Sequence, residues 1–159
     1  MTIFLENATL SDAEALHKLQ IKAFLPLLEK YQDVATNPAC EPLEKTKERI
    51  TDPLRGFYKI VKDNVVVGAI VIKFTSSTSL WIGPIFVDPD AQNQKIGQKA
   101  MILLEKLFPD VQKYELATLS QELGNIHLYQ KLGYKLTDRK EKIQQGLDLV
   151  FFEKTISKS

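Results

Sequence analysis

The sequence has a single cysteine, Cys40, and only two histidines, His17 and His127, which lie far apart in the chain. A lone cysteine forms no intrachain disulfide, and two scattered histidines make a zinc or other transition-metal centre a poor expectation. Charge of one sign is also missing: 21 basic and 20 acidic residues leave a formal charge of +1. Proteins that bind nucleic acid or anionic membranes draw their non-specific affinity from neutralised phosphates, and this chain has no basic excess to supply it. The lysine-rich stretch 135–142 is interrupted by Asp138 and Glu141 and reads as a solvated face. Long apolar runs are absent too. The longest, residues 65–72, falls well short of the ~20 residues a membrane-spanning helix needs. Residues 1–8 lack the basic and then apolar pattern of a secretory leader. These absences point to the reducing cytoplasm, with no metal, no nucleic acid and no membrane among the expected partners.

What is present fits one compact domain over residues 1–159. A chain of this length buries about two thirds of its extended surface, enough for a core without covalent staples. The apolar share of 44% and the charged share of 26% are ordinary for a globular protein.

The apolar period switches repeatedly between two and three to four, the mark of a mixed α/β domain. Residues 3–8 form a short strand candidate, followed by Ser11-Asp12-Ala13-Glu14, a capping-box pattern. A helix then carries Leu16, Leu19, Ala23 and Leu27 on one stripe, and Pro26 is expected to bend or end it. Residues 29–42 read as irregular and 43–50 as a second helix. Two β-rich runs, 57–61 and 65–74, flank the hairpin signal Lys62-Asp63-Asn64. Residues 79–87 form another strand, stopped by Asp88-Pro89. A helix follows with Ile96, Ala100, Leu103, Leu104 and Leu107 at helical spacing. Strand 113–119, helix 121–132 and strands 134–139 and 147–154 complete the chain. The order is β-α-α-β-β-β-α-β-α-β-β.

One loop in this order has chemical meaning. The strand ending Ile85-Phe86-Val87-Asp88-Pro89 runs into Gln92-Asn93-Gln94-Lys95-Ile96-Gly97-Gln98, which opens a helix. The first turn of any helix presents N–H groups without partners, and the dipole adds partial positive charge there. Such a start suits a diphosphate. Gly97 removes a Cβ where a ligand must approach the backbone, and Lys95 and Lys99 add charge.

The loop resembles the acetyl-CoA signature of the GNAT superfamily of N-acetyltransferases, Gln/Arg-x-x-Gly-x-Gly/Ala after an aliphatic-aromatic-Val-x-Pro strand end. Gln92 and Gly97 match; Lys95 stands where the first glycine is usual. That departure implies an ordinary negative φ at Lys95, or a tolerated strain. A second signature, Leu-Tyr-x-Lys-x-Gly-Phe/Tyr, is matched by Leu128, Tyr129, Lys131, Gly133 and Tyr134. Asn125 lies four residues before Tyr129, whereas the commoner spacing places an asparagine seven before, where this chain has Glu122. Asn125 is therefore either a cofactor contact or a polar residue at a helix start.

The resemblance implies the acyl-CoA N-acyltransferase fold, a central twisted mixed sheet of about seven strands with four helices. It implies acetyl-CoA as co-substrate, held by Ile85, Phe86, Val87, residues 92–98, Asn125 and Lys131. It also implies direct transfer of the acetyl group to an amine of a small molecule or a protein. In such chemistry, backbone N–H groups near Phe86 and Val87 meet the oxyanion, and Tyr129 is the general acid to the leaving thiolate. Without the family pattern, Tyr129 reads equally as a core tyrosine beside Leu128 and Leu132. Residues 80–87 carry no carboxylate, so Glu115 on the fifth strand is the candidate base; its other reading is an exposed strand residue paired with a lysine. The acceptor pocket is expected among Phe24, Tyr31, Trp81 and the 141–146 turn. Exposed strand edges are compatible with a homodimer. A non-catalytic acyl-CoA-binding module is the alternative function, motivated by Lys95 and the missing fourth-strand carboxylate.

Overall fold

A computed structural model describes residues 2–91 and 94–156. In chain order the elements are β1 (Ile3–Asn7), α1 (Ala13–Tyr31), α2 (Leu43–Thr51), β2 (Arg55–Lys62), β3 (Val65–Phe74) and β4 (Ser79–Val87). They continue with α3 (Ile96–Leu107), β5 (Lys113–Leu119), α4 (Leu123–Lys131), β6 (Lys135–Gln144) and β7 (Leu147–Thr155). The seven strands form one sheet in the order β1-β2-β3-β4-β5-β7-β6. Every neighbouring pair is antiparallel except β4 and β5. The element order and the mixed α/β class are those the periodicity predicts.

The alternation of β3 explains why helices cover both faces of the sheet. Residues 67–72 are buried without a break, as expected for a strand wrapped on both sides. Ile70 and Ile72 point into the larger core with Leu80, Met101, Leu104 and Phe152, under α3 and α4. Ala69 and Val71 point the other way, into a cluster with Leu16, Phe57 and Phe86, against which Leu19, Phe24 and Ile50 pack. Apolar contacts on both faces of one strand fix its register, because a one-residue slip would exchange the two sets.

Two local expectations change. The predicted cap at Ser11 and Glu14 sits two residues earlier: the Thr9 backbone N–H donates to Asp12 Oδ2 at 2.8 Å, and a short 3-10 turn leads into α1. The second change is larger. Pro26 does not end α1, which runs on to Tyr31 and closes with Gln32 in the left-handed region at φ 54°. An interior proline costs about 3 kcal/mol. Burial of Leu16 and the packing of Leu19, Ala23 and Phe24 against the sheet offset that cost. The irregular segment therefore begins after residue 31 rather than at 29. It is held to α1 by Gln20, whose amide donates to Pro38 O at 2.8 Å and Glu41 Oε1 at 2.9 Å.

The hairpin between β2 and β3 follows its signal. Asp63 and Asn64 both take positive φ, 48° and 70°, as a two-residue turn between twisted strands demands.

Candidate active site

The site originates in the one parallel pair of the sheet. β4 and β5 are hydrogen-bonded partners only at Ser79, Leu80 and Trp81 against Lys113, Tyr114 and Glu115. Beyond Trp81 the strands part. On its other side β4 remains paired with β3, with a register shift between Ile70 and Ile72. Pro84 lacks the N–H that a continued ladder would use. The parting leaves alternate backbone groups of residues 82–87 facing a cleft rather than a neighbouring strand.

Two cavities fill this cleft. The larger, of about 790 Å³, runs between the ends of β4, the start of α3 and α4. The smaller, of about 260 Å³, lies between α1, residues 33–38, β4, β5 and the β6–β7 hairpin. Both are lined by Phe24, Leu27, Ile85, Asn125 and Tyr129. Two ligands entering from opposite sides would therefore meet at the wall that carries Tyr129.

The larger groove collects most of the residues expected to hold acetyl-CoA. Ile85, Phe86, Val87, Lys95, Ile96, Gly97, Gln98 and Asn125 all line it, together with His127. Gln92 and Asn93 lie outside the described residues. Gln94 is exposed and accepts a hydrogen bond from Lys62 Nζ. Lys131 is exposed at the end of α4 and does not line the groove, so its place in the signature is not matched by a position at this wall.

Ile96 anchors the start of α3 in a buried cluster with Ile60, Val67 and Ala100. The preceding turn is tied to α1 by Lys22, whose ammonium lies 2.9 Å from Asp88 and 2.7 Å from Asp90. Asp88 also accepts from the Asp90 backbone N–H, and these bonds hold its carboxyl below the ordinary range. Lys95 has φ 58° and ψ 28°, the left-handed conformation. Of the two conformations the sequence allows, the strained one is present. A Cβ placed on Gly97 would meet nothing within 4 Å, so no packing demand explains that glycine. The space beyond it belongs to the groove. Together, the first-turn N–H groups of α3, which a helix leaves without partners of its own, and this opening form a cradle that fits a diphosphate.

Tyr129 is half-buried on α4, its ring 6.2 Å from Tyr134 and 6.0 Å from Phe152. Desolvation pushes its phenol up to about 12. It is thus a group that keeps its proton at any ordinary pH. Gly133, at φ 96°, closes α4 as expected, and Tyr134 N–H returns to Tyr129 O at 3.0 Å. Asn125 donates to Thr118 Oγ1 at 3.3 Å, which links α4 to β5 across the base of the cleft.

The smaller cavity differs more from expectation. Phe24 lines it. Tyr31 does not, but its hydroxyl donates to Glu122 Oε2 at 2.5 Å and Glu122 does line it. Trp81 and Glu115 are absent from both walls. They are register partners in the last pair before the strands part. Trp81 instead packs on Phe151 at 5.9 Å, and Glu115 lies 3.9 Å from Lys113, the strand-surface reading of that residue. The carboxylates that do line the cavity are Asp33 and Glu122. For Glu122 a signal exists in the sequence, since it occupies the position seven before Tyr129 where asparagine is usual. Nothing in the sequence marks Asp33, because its placement depends on how residues 32–42 fold back on α1.

Burial raises the Glu122 carboxyl, and the Tyr31 and Lys30 hydrogen bonds more than offset this, leaving it below its ordinary value. Tyr31 is raised in return, first by donating to Glu122 and then by burial.

Comparison with known proteins bears on the fold and the family. No curated protein matches the chain by sequence. Among solved structures, the PaiA N-acetyltransferase of Thermoplasma acidophilum in complex with coenzyme A superposes with a TM-score of 0.77 at 19% identity, over 98% of this chain and 100% of that one. An acetyltransferase of Thermus thermophilus gives 0.76 at 15% identity, over 98% of each chain. The ribosomal-protein-S18-alanine N-acetyltransferase of Escherichia coli gives 0.76 at 16% identity, over 99% of this chain and 96% of that one. At such identities the likeness speaks for the fold. The family itself is settled by sequence: the model of the Acetyltransferase (GNAT) family matches residues 14–134, and the chain belongs to this family of N-acetyltransferases.

Proposed function

We propose that the protein transfers an acetyl group from acetyl-CoA to a primary amine by direct attack within a ternary complex. The observation that carries this reading is the shared wall: Tyr129 and Ile85 line both the groove at the α3 N-terminus and the smaller acidic cavity. The groove takes the CoA moiety, with its diphosphate against the first turn of α3 and its pantetheine arm running along residues 85–87 toward Tyr129. The amine enters from the smaller cavity.

The reaction forms one C–N bond and breaks the C–S bond of the thioester. The incoming ammonium must lose a proton before attack, and apolar walls favour its neutral form. Backbone N–H groups of β4 that no longer pair with a strand stabilise the charge developing on the carbonyl oxygen. Tyr129 delivers a proton to the departing sulfur, and the pool of protons gains one for each ammonium consumed. This assigns the proton donor to Tyr129 and withdraws the role of base from Glu115.

Thermal shift with acetyl-CoA, CoA and ATP tests the first half. Stabilisation by ATP and by neither CoA form would remove the acetyl-CoA reading. Thiol release across a panel of amines tests the second half, and binding without turnover on any amine would favour a non-catalytic acyl-CoA-binding module.

A further inference from the structure

The smaller cavity carries charge of one sign only. Among the described residues its lining includes two carboxylates, Asp33 and Glu122, and no lysine, arginine or histidine. The remaining surface is largely apolar, with Leu27, Ile82, Leu116 and Leu149 among the walls. A ligand with a carboxylate or phosphate in this space would face two carboxylates and no cation among the lining residues, and low-dielectric walls would magnify the repulsion.

The position of the charges adds a second element. Asp33 and Glu122 line only the smaller cavity, whereas the shared wall at Phe24, Leu27, Ile85, Asn125 and Tyr129 has no carboxylate. The nitrogen that attacks the thioester must be neutral and must stand at the shared wall. The carboxylates therefore address a different part of the acceptor.

Both are held in place for that task. Asp33 is only 6% exposed, and its two oxygens accept from the Thr36 backbone N–H and hydroxyl, which orients the carboxylate and leaves it lone pairs to spare. Glu122 occupies the N-cap position of α4, without a side-chain capping bond, where the dipole favours negative charge. Its bonds from Tyr31 and Lys30 both fall on Oε2, so Oε1 can accept from a ligand. Lys30, 58% exposed and outside the lining, pairs with Oε2 at 2.9 Å and offsets part of the Glu122 charge; with Asp33 counted, the two carboxylates and this lysine remain net negative.

Resting on the acetyltransferase reading, we propose that Asp33 and Glu122 form a cation subsite that selects acceptors carrying a second positive charge, remote from the amine that is acetylated. The substrate class is a diamine or longer polyamine. Amino acids and other acceptors with a carboxylate at the far end are rejected.

The test compares three acceptors of equal chain length: diaminobutane with amines at both ends, butylamine, and aminobutyrate with amine and carboxylate at opposite ends. Thiol release is followed at saturating acetyl-CoA. Expected is a kcat/KM for the diamine about tenfold or more above butylamine, with aminobutyrate lower still. In Glu122→Gln and Asp33→Asn, each of which keeps side-chain acceptors, the diamine-to-butylamine ratio should fall several-fold. Acetyl-CoA thermal shift reports whether the variants are folded, because neither carboxylate lines the cofactor groove. If either variant fails that check, the wild-type ratios decide alone. Equal use of diamine and butylamine, preference for aminobutyrate, preference for a neutral-bodied peptide amine, or no turnover of the diamine would each overturn the inference. Loss of acetyl-CoA binding in the wild type would instead strike the underlying reading.

Discussion

Replacing Tyr129 by phenylalanine removes one oxygen and little else. The ring contacts, 6.2 Å to Tyr134 and 6.0 Å to Phe152, belong to carbon atoms that phenylalanine keeps. Among the described residues no hydrogen-bond partner of the Tyr129 hydroxyl is seen, so the loss leaves no buried group stranded, and stability should change by less than ~1 kcal/mol. The kinetic effect should be far larger. A positioned general acid contributes about 10²–10⁴ in rate, or ~3–5 kcal/mol of barrier. The assay is thiol release at saturating acetyl-CoA and amine, with acetyl-CoA affinity measured separately. We expect kcat to fall by about two orders of magnitude or more, with affinity nearly unchanged. The pH profile gives an independent check. The acid must hold its proton, and burial raises its phenol from 10.0 to about 12. The rate should therefore show no alkaline fall due to Tyr129 until pH approaches 12. A phenylalanine variant that keeps more than about a third of wild-type kcat would refute the assignment, because water would then be delivering the proton unaided.

Lys95→Gly should bind acetyl-CoA within about tenfold of wild type: relief of ~1 kcal/mol of left-handed strain roughly balances the entropy glycine adds to the unfolded chain. Loss far beyond that in a calorimetric titration would make the lysine side chain a principal phosphate ligand. Gly97→Val should fold with a shift under ~1 kcal/mol, since an added Cβ meets no neighbour within 4 Å, yet lose acetyl-CoA affinity by about a hundredfold because its branches occupy the groove. Glu41→Ala should cost ~3 kcal/mol in urea unfolding, because Arg49, whose side chain is 10% exposed, loses bonds of 2.6 and 2.9 Å and stays buried. Asp12, Asp52 and Asp88 lie below 3.8, chiefly through bonds from the backbone N–H groups of Thr9, Leu54 and Asp90. Depressed carboxyls stabilise the fold above that value and lose their contribution as pH falls below it, so the Tm should drop on acidification through this range, and less steeply in Asp88→Asn.

How far the fold is legible in the sequence depends on whether each signal is local. Strands 65–74, 79–87 and 113–119 are recovered to the residue, because their limits are set by local turn chemistry such as Asp63-Asn64 and Asp88-Pro89. Pro26 misleads for the opposite reason. Its local cost is real, but the sheet-facing side of α1 on both sides of it supplies burial that no window around residue 26 reveals. The same limit separates the two cavities. The cofactor groove depends on one strand end and the helix that follows it, so a contiguous motif describes most of it. The acceptor cavity is assembled from α1, residues 33–38, β4, β5, α4 and the final hairpin. No motif spans these.

The missing base illustrates how the geometry works. A carboxylate sought along β5 is Glu115, a fair choice if β4 and β5 stayed adjacent along their length. They separate after Trp81 and Glu115, so the edges of the two strands face each other across a closed ladder up to that pair and border a cleft beyond it. A carboxylate that serves the acceptor must then come from the elements that border the opening. Two do: Asp33 from the segment after α1, and Glu122 from the cap of α4. Each is fixed by hydrogen bonds from neighbours rather than by a strand, from Thr36 in one case and from Tyr31 and Lys30 in the other. On the proposed reading, the parting of the one parallel pair opens the space for chemistry, and it also transfers control of acceptor charge from the sheet to its surrounding loops and helix ends. Such segments can change sequence without disturbing the sheet register, so the proposed acceptor preference would vary while the proposed cofactor cradle at α3 is retained.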